Sequence, residues 1–469
     1  MECMNEREQG LLRAREIYGE KTEQALREFL ELYDERFYLW LSKLYMPRKC
    51  VCNNFDAEGN RVCLLPKDEN GKHLCSGGGF YYCNSARDTE GYEIDIESTV
   101  QAIQFLRNAG LLRGFNDDYI QALPKQFRLD VCAFAKSLQS SEDGFFYHPQ
   151  WGKNVIVQRR GRDLTWSTYI LDVFGDMPLY DTPDDKHGSL GSPSEIKGQV
   201  GANEKASTLP EHLKTLDAFK EYLNKFDMKV QSYPAGNALN AQRGQIVARD
   251  KQAIIDGEAH DNDGDGIAED GYVAALKKFV DDTQNPENGL WSDKVTYNGV
   301  NGLMKIVCTI SGKLNYAEQS FKSAMEMTLL PVGVLDAEGR TTTYSIDVYN
   351  PWIAMSVIMK NIKKYGTEEE YERIRALLKE NAADLVKTSL EKAKKFKKED
   401  GSFGYNWASP PSHSQGAPVC PPGIIEGDVN GGKIAITGIF GNMVATLGLN
   451  IPIYLPEDFE KFKENLNLK

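Results

Sequence analysis

The spacing of apolar side chains governs what this chain can fold into. They recur every three or four positions through most of its length. Leu26, Phe29, Leu30, Tyr33, Phe37, Leu41 and Leu44 fall on one face of a helix, the face that must be buried. The same period predicts helices over 97–109, 129–138, 164–173, 213–226, 273–280, 300–310, 317–329, 351–362, 368–380 and 382–396. Alternating runs of strand type are few and short, and the connecting segments are rich in Gly, Pro, Asn and Asp, as helix ends require. This is the pattern of an all-α protein, and we expect one domain over 1–469. A cysteine-bearing loop insertion is expected at 45–85, with long loops at 181–207 and 408–432 placed to cover or line a site.

Composition narrows the function classes. Of 469 residues 41% are apolar and 26% charged, which excludes a disordered or collagen-like chain. No apolar run approaches the roughly 20 residues that span a bilayer, so no membrane partner is expected. The net charge of −13 repels phosphate backbones and argues against nucleic acid, yet leaves room for a basic cleft around a smaller polyanion. The charged N-terminal run lacks a signal-peptide core, from which a cytoplasmic location is expected. Five of the nine cysteines crowd between Cys50 and Cys83, with His73 among them. Their spacing lacks paired Cys-x-x-Cys knuckles, so reduced thiols in a local loop are preferred over a zinc site.

An internal echo runs through the helices. Gln139-Ser-Ser-Glu-Asp143-Gly144-Phe-Phe146, Gln284-Asn-Pro-Glu-Asn288-Gly289-Leu-Trp291 and Lys397-Lys-Glu-Asp400-Gly401-Ser-Phe403 each put Asp/Asn-Gly after a helix and follow it with an aromatic. Gly78-Gly79-Phe80 is a degenerate fourth copy. Gly can take the positive φ such a turn needs, and the aromatic can pack under the next helix. The pattern resembles the Gly-aromatic turns of the α/α-toroid superfamilies, which include terpenoid cyclases, protein prenyltransferases, glycosidases and polysaccharide lyases. That resemblance implies a ring of inner and outer helices with a site in its axial cavity.

The chemistry is read from residue types. Asp261-Asn-Asp263-Gly-Asp265-Gly spaces its oxygens as a calcium loop does, with Asp270 close behind, but Tyr272 stands where an EF-hand carries Glu. Structural calcium is the candidate cofactor there. Near the turns lie His148, Trp151, Arg159, Arg160 and Arg162, then Tyr297 and Asn301, then Tyr349 and Asn350, with Arg87 earlier in the chain. Tyr, His, Asn and Arg together suit β-elimination from a uronic-acid polymer, in which a neutralised carboxylate stabilises the enolate-like state and a phenolate takes the C5 proton. No cofactor is needed for that route.

The set resembles the sites of α/α-barrel lyases acting on glucuronan or alginate, although the Asn-Asn/His-Tyr-Tyr run of one alginate-lyase family is absent. The resemblance implies Tyr297 as base, Asn301 and His148 as neutralisers of the carboxylate, and Arg162 as support for ionisation. Arg159, Arg160, Tyr349, Asn350, Trp151 and Arg87 would then bind an acidic oligo- or polysaccharide. The alternatives are a toroid glycosidase using two carboxylates, Asp88 or Glu97 against Asp347 or Asp143, a terpenoid-cyclase-like enzyme, or a toroid that only binds glycans.

Overall fold

The computed structural model describes residues 5–184, 186–194 and 210–466. The all-α expectation holds. Among the described residues the strands are two-residue antiparallel pairs, Tyr45–Met46 with Gly79–Phe80 and His413–Ser414 with Ala417–Pro418. No helix of the described residues is long and apolar enough to cross a membrane. The chain forms two compact units. The first comprises Met1–Phe29, Leu209–Lys394 and Gly438–Ile451, and the second Leu30–Thr208, Lys395–Thr437 and Pro452–Lys469.

In the first unit the helix Tyr297–Thr309 packs on Met228–Ile255, Ile346–Tyr365 and Ala317–Leu329. It begins at Tyr297, three residues earlier than the apolar period predicts, because Thr296 caps it by accepting the Gly299 N–H at 3.0 Å. Two glycines in this helix lower its intrinsic propensity. At Gly302 tertiary packing explains the choice: a Cβ there would lie 2.6 Å from Ser232 Oγ on the crossing helix.

That crossing helix, Met228–Ile255, is absent from the sequence reading, and it carries Pro234, Gly236 and Gly244, residues of low helix propensity. The backbone breaks at Gln231 (φ −123°, ψ 19°), which puts Pro234 near the start of the continuing helix, where its missing N–H costs little. The two helices expected at 368–380 and 382–396 are one, Glu368–Lys394.

The second unit is centred on Phe37 of the Glu35–Lys43 helix. Its ring lies 4.9 Å from Phe105, edge-on, and 4.9 Å from Phe403, centroid to centroid. Phe105 comes from Ile96–Asn108, a helix capped by Asp95, which accepts the Ser98 N–H at 3.0 Å. The helices Lys125–Ser137, Val157–Val173 and Val429–Lys433 belong to the same unit.

The echoed turns are structurally alike. Gly144, Gly289 and Gly401 have φ of 75°, 68° and 87°, and Phe146, Trp291 and Phe403 are all buried. In the first two, Gln139 and Gln284 donate their side-chain N–H to the carbonyls of Gly144 (3.1 Å) and Gly289 (2.8 Å). The third is one residue tighter: Gly401 N–H reaches back three residues to Lys398, where the others reach back four. Gly78 (φ 95°) and buried Phe80 repeat the essentials. Of the 181–207 loop, residues 185 and 195–207 lie outside the described residues.

Candidate functional site: a basic, tryptophan-lined groove

The third turn does more than close a helix. Asp400 Oδ1 accepts the Ser402 N–H (3.0 Å) and hydroxyl (2.5 Å), and Oδ2 accepts the Asn84 amide at 3.1 Å. Asn84 and Asp400 are shared by two cavities of the second unit, of 620 and 410 Å³. Six basic side chains line them, Arg36, Lys43, Arg87, Lys395, Lys397 and Lys398, against three acidic ones, Glu399, Asp400 and Glu426.

Arg36 and Lys397 are both spent on Asp34. Arg87 is paired through two nitrogens with Asp88. Lys43 and Lys395 have no ion pair among the described residues. With Asp34 and Asp88 counted, six cations face five carboxylates, a small positive excess on a chain of net charge −13.

Two tryptophans flank the groove. Trp407 is 53% exposed, and its carbonyl accepts the Lys398 ammonium at 2.8 Å. Burial holds the Lys398 pKa below the usual lysine range, with Asp428 and Asp400 pulling the other way. Trp40 is buried and lines the smaller cavity, its indole N–H unpartnered. Glu426 is 8% exposed. Its Oε2 accepts the Ser85 N–H at 3.1 Å, while Oε1 is buried without a hydrogen-bond partner. A carboxylate oxygen buried without a partner is costly, and Glu426 lines the larger cavity.

The residues singled out from the sequence fall in both units. His148, Trp151, Arg159, Arg160, Arg162 and Arg87 belong to the second, and Tyr297, Asn301, Tyr349 and Asn350 to the first. Arg159 is fully buried between three carboxylates, with Nε 2.9 Å from Asp163 and Nη atoms 3.4 Å from Asp95 and Glu97. Burial pushes Asp163 up to about 6, although Arg159 pulls it down. Arg162 pairs with the same Glu97, which also accepts the Ser414 hydroxyl at 3.1 Å. His148 stacks on Trp151 (4.0 Å), whose other contact is the Arg159 guanidinium, 4.8 Å from the ring centroid.

Both imidazole nitrogens of His148 are engaged, Nε2 with the Ile94 carbonyl (2.7 Å) and Nδ1 with the Gln150 N–H (3.1 Å). Burial holds its pKa below the usual histidine value, and the contacts fit the tautomer protonated at Nε2. Two cations, Arg159 and Arg162, thus tie three carboxylates to the start of the Val157–Val173 helix. Arg160 lies over Phe145, 4.8 Å from its centroid.

Tyr297 is fully buried. Its hydroxyl is 2.9 Å from the Thr342 hydroxyl and accepts from Lys392 at 3.3 Å. Burial pushes the phenol up to about 12, and Arg340, 5.9 Å from the ring centroid, does not reverse this. The Asn350 amide donates to Asn301 Oδ1 at 2.9 Å, both residues buried, and the Asn301 amide N–H groups have no partner. Half-buried Tyr349 has a phenol pKa raised by burial. Of the carboxylates weighed for hydrolysis, Asp347 is buried against Arg340 and the N–H groups of Thr343 and Tyr344. Asp143 holds the Tyr147 hydroxyl at 2.8 Å.

Asp261, Asp263 and Asp265 bring carboxylate oxygens within 4.8 Å of one another and could hold a cation. Their oxygens also accept N–H groups of their own loop, from Gly264, Gly266, Asp265 and Ile267. Asp270 instead pairs with His260 at 2.8 Å. Sequence reasoning missed the groove except for Arg87. The lysine run 394–398 beside an echoed turn, followed by the long loop expected at 408–432, was the signal that could have found it. No family model matches the chain, and neither a curated protein nor a solved structure does.

Proposed function

We propose that the protein binds an acidic oligo- or polysaccharide in this groove and cleaves it by β-elimination. The observation that carries the reading is Glu426, a buried carboxylate with one unpartnered oxygen in a cleft of excess positive charge beside an exposed tryptophan. Exposed indole faces suit sugar rings. Lys395 and Lys43 supply the charge that neutralises a uronate carboxylate, which acidifies the C5 proton. Glu426 takes that proton, the electron pair of the C–H bond becomes the C4–C5 double bond, and the C4–O bond breaks. The leaving oxygen takes a proton from solvent water, and Glu426 returns the abstracted proton to solvent.

This assigns the lyase chemistry to different residues from those the family resemblance implies, since Tyr297 and Asn301 are buried and bonded within the first unit. Hydrolysis is the second reading, favoured by Asp400, a second carboxylate lining the same groove. We propose the α/α toroid as the repeat architecture on the strength of the three like turns.

A panel of uronate polysaccharides read by ultraviolet absorbance tests substrate class and reaction together. Unsaturated products are expected from wild type. Glu426→Gln keeps an acceptor for the Ser85 N–H and should lose turnover while retaining binding. Trp407→Ala and Lys395→Ala should raise KM, the lysine effect shrinking at high salt. Saturated reducing ends would favour hydrolysis, and unaltered turnover by Glu426→Gln would remove the assignment.

A further inference from the structure

The segment between the Tyr45–Met46 and Gly79–Phe80 strands orders more than thirty residues with almost no core of its own. Cys75 is its buried apolar side chain, whereas Val51, Phe55, Leu64 and Leu74 are more than half exposed. Fixing so many backbones costs conformational entropy, which small segments of this kind recover from disulfides or a metal. The chain path is built from a duplicated unit, Asp-x-x-Gly-x-x-x-Cys, at Asp56–Cys63 and again at Asp68–Cys75. In each, the aspartate Oδ1 accepts two N–H groups, from Glu58 and Asn60 in the first and from Asn70 and Lys72 in the second. Gly59 and Gly71 supply the positive φ. Each copy returns its cysteine to the same place.

We propose that Cys50, Cys52, Cys63 and Cys75 bind one zinc ion in a tetrahedral thiolate site that holds this segment together. All four Sγ atoms lie within 4.8 Å of one another. Cys50–Cys75 is 3.4 Å, and Cys52 is 4.0 Å from both Cys63 and Cys75. A tetrahedron with Zn–S of about 2.3 Å sets its sulfurs about 3.8 Å apart. Disulfide bonding, at about 2.05 Å, would single out pairs, and Cys52 favours neither neighbour.

The surroundings suit the net charge of −2 that four thiolates leave on a zinc ion. Arg48 is buried with no carboxylate in ion-pair range among the described residues. Its Nη2 lies 3.4 Å from Cys63 Sγ and its Nη1 donates to the Gly77 carbonyl at 2.8 Å. Leu64 N–H donates to Cys52 Sγ at 3.3 Å. A buried guanidinium needs an anion; the Asp130 carboxylate acts on Arg48 only from beyond ion-pair range, and the metal-thiolate centre is the nearer one. The sequence reading preferred free thiols because it sought Cys-x-x-Cys knuckles. Here one Cys-x-Cys and two aspartate turns do the same work.

The test uses the full chain purified under reductant. Elemental analysis should find about one zinc per chain, and cobalt exchanged into the site should show thiolate charge-transfer and tetrahedral d–d bands. Cys63→Ser and Cys75→Ser should cut bound zinc to less than about a tenth, while Cys308→Ser, in the other unit, keeps it. Three results would overturn the proposal. One is an intact mass four hydrogens lighter, meaning two disulfides. Another is iron in place of zinc. The third is a metal-free wild-type chain whose 47–78 amides are as protected from hydrogen exchange as before chelation.

Discussion

Lys392 offers the sharpest test of the first unit's interior. Its side chain is buried, and its ammonium donates to the carbonyls of Met327 (2.7 Å) and Thr328 (2.9 Å), and to the Tyr297 hydroxyl. Those carbonyls lie in the last turn of the Ala317–Leu329 helix, where the helix has no N–H for them. Burial holds the amine down to about 7, with only Asp347 pulling it back up. In the unfolded chain the amine keeps its proton to about 10.5, so between these values the unfolded state binds more protons and stability rises with pH.

The useful window ends near pH 8.5, where unfolded thiols begin to ionise and work in the opposite direction. Over about 1.5 pH units at about 1.36 kcal/mol each, wild type should gain about 2 kcal/mol. Lys392→Met uncaps the two carbonyls and should cost about 1–3 kcal/mol at every pH, but it should abolish the gain. Urea unfolding at several pH values, with hydrogen exchange of the Ala317–Leu329 helix to locate the effect, measures both. Equal slopes in wild type and variant would refute the reasoning.

The echoed turn can be tested with two glycines of similar φ. Gly289→Ala would put a Cβ 2.3 Å from the Ser320 nitrogen, whereas at Gly257 (φ 71°) nothing lies within 4 Å. The left-handed backbone alone costs about 1–2 kcal/mol, so Gly257→Ala should show that and Gly289→Ala about 1–3 kcal/mol more in denaturant midpoints. Equal costs would mean the turn does not depend on close approach. Arg159→Met would strand Asp95, Glu97 and Asp163 without their shared cation and should destabilise the second unit by about 3–5 kcal/mol at neutral pH. That loss should shrink in acid, because protonating the stranded carboxylates removes the repulsion, and thermal melts across pH would show it.

The helices and the turns were legible because their causes are local. Phe37 and Leu41 announce their face within two turns, and Asp143-Gly144 carries its own positive φ. Yet the one helical face expected from Leu26 to Leu44 is divided between two helices, Glu20–Leu30 and Glu35–Lys43, the second capped by Asp34. What local signals misjudged was context. Pro234 reads as a breaker until the break at Gln231 is seen just ahead of it. Tyr297 reads as a loop phenol until Thr296 caps a helix through it and burial raises its pKa. Arg159 and Arg162 were noticed as a basic strip, but Asp95, Glu97 and Asp163 neutralise them. Charges visible in one stretch of sequence say nothing about the opposite charges that folding brings to them.

By itself, the order of residues determined a mostly helical chain, a repeated glycine-aromatic turn and a net charge of −13. Those properties follow from periodicity, backbone preference and charge sums, none of which needs a partner far along the chain. Only tertiary structure decided that Asn84 lines one cavity with Lys395 and Glu426 and a second with Arg36, and that Cys50 and Cys75 meet within 3.4 Å. Such meetings depend on the path of the whole backbone, and the energy that fixes the path is spread over the buried core instead of residing in the residues that meet.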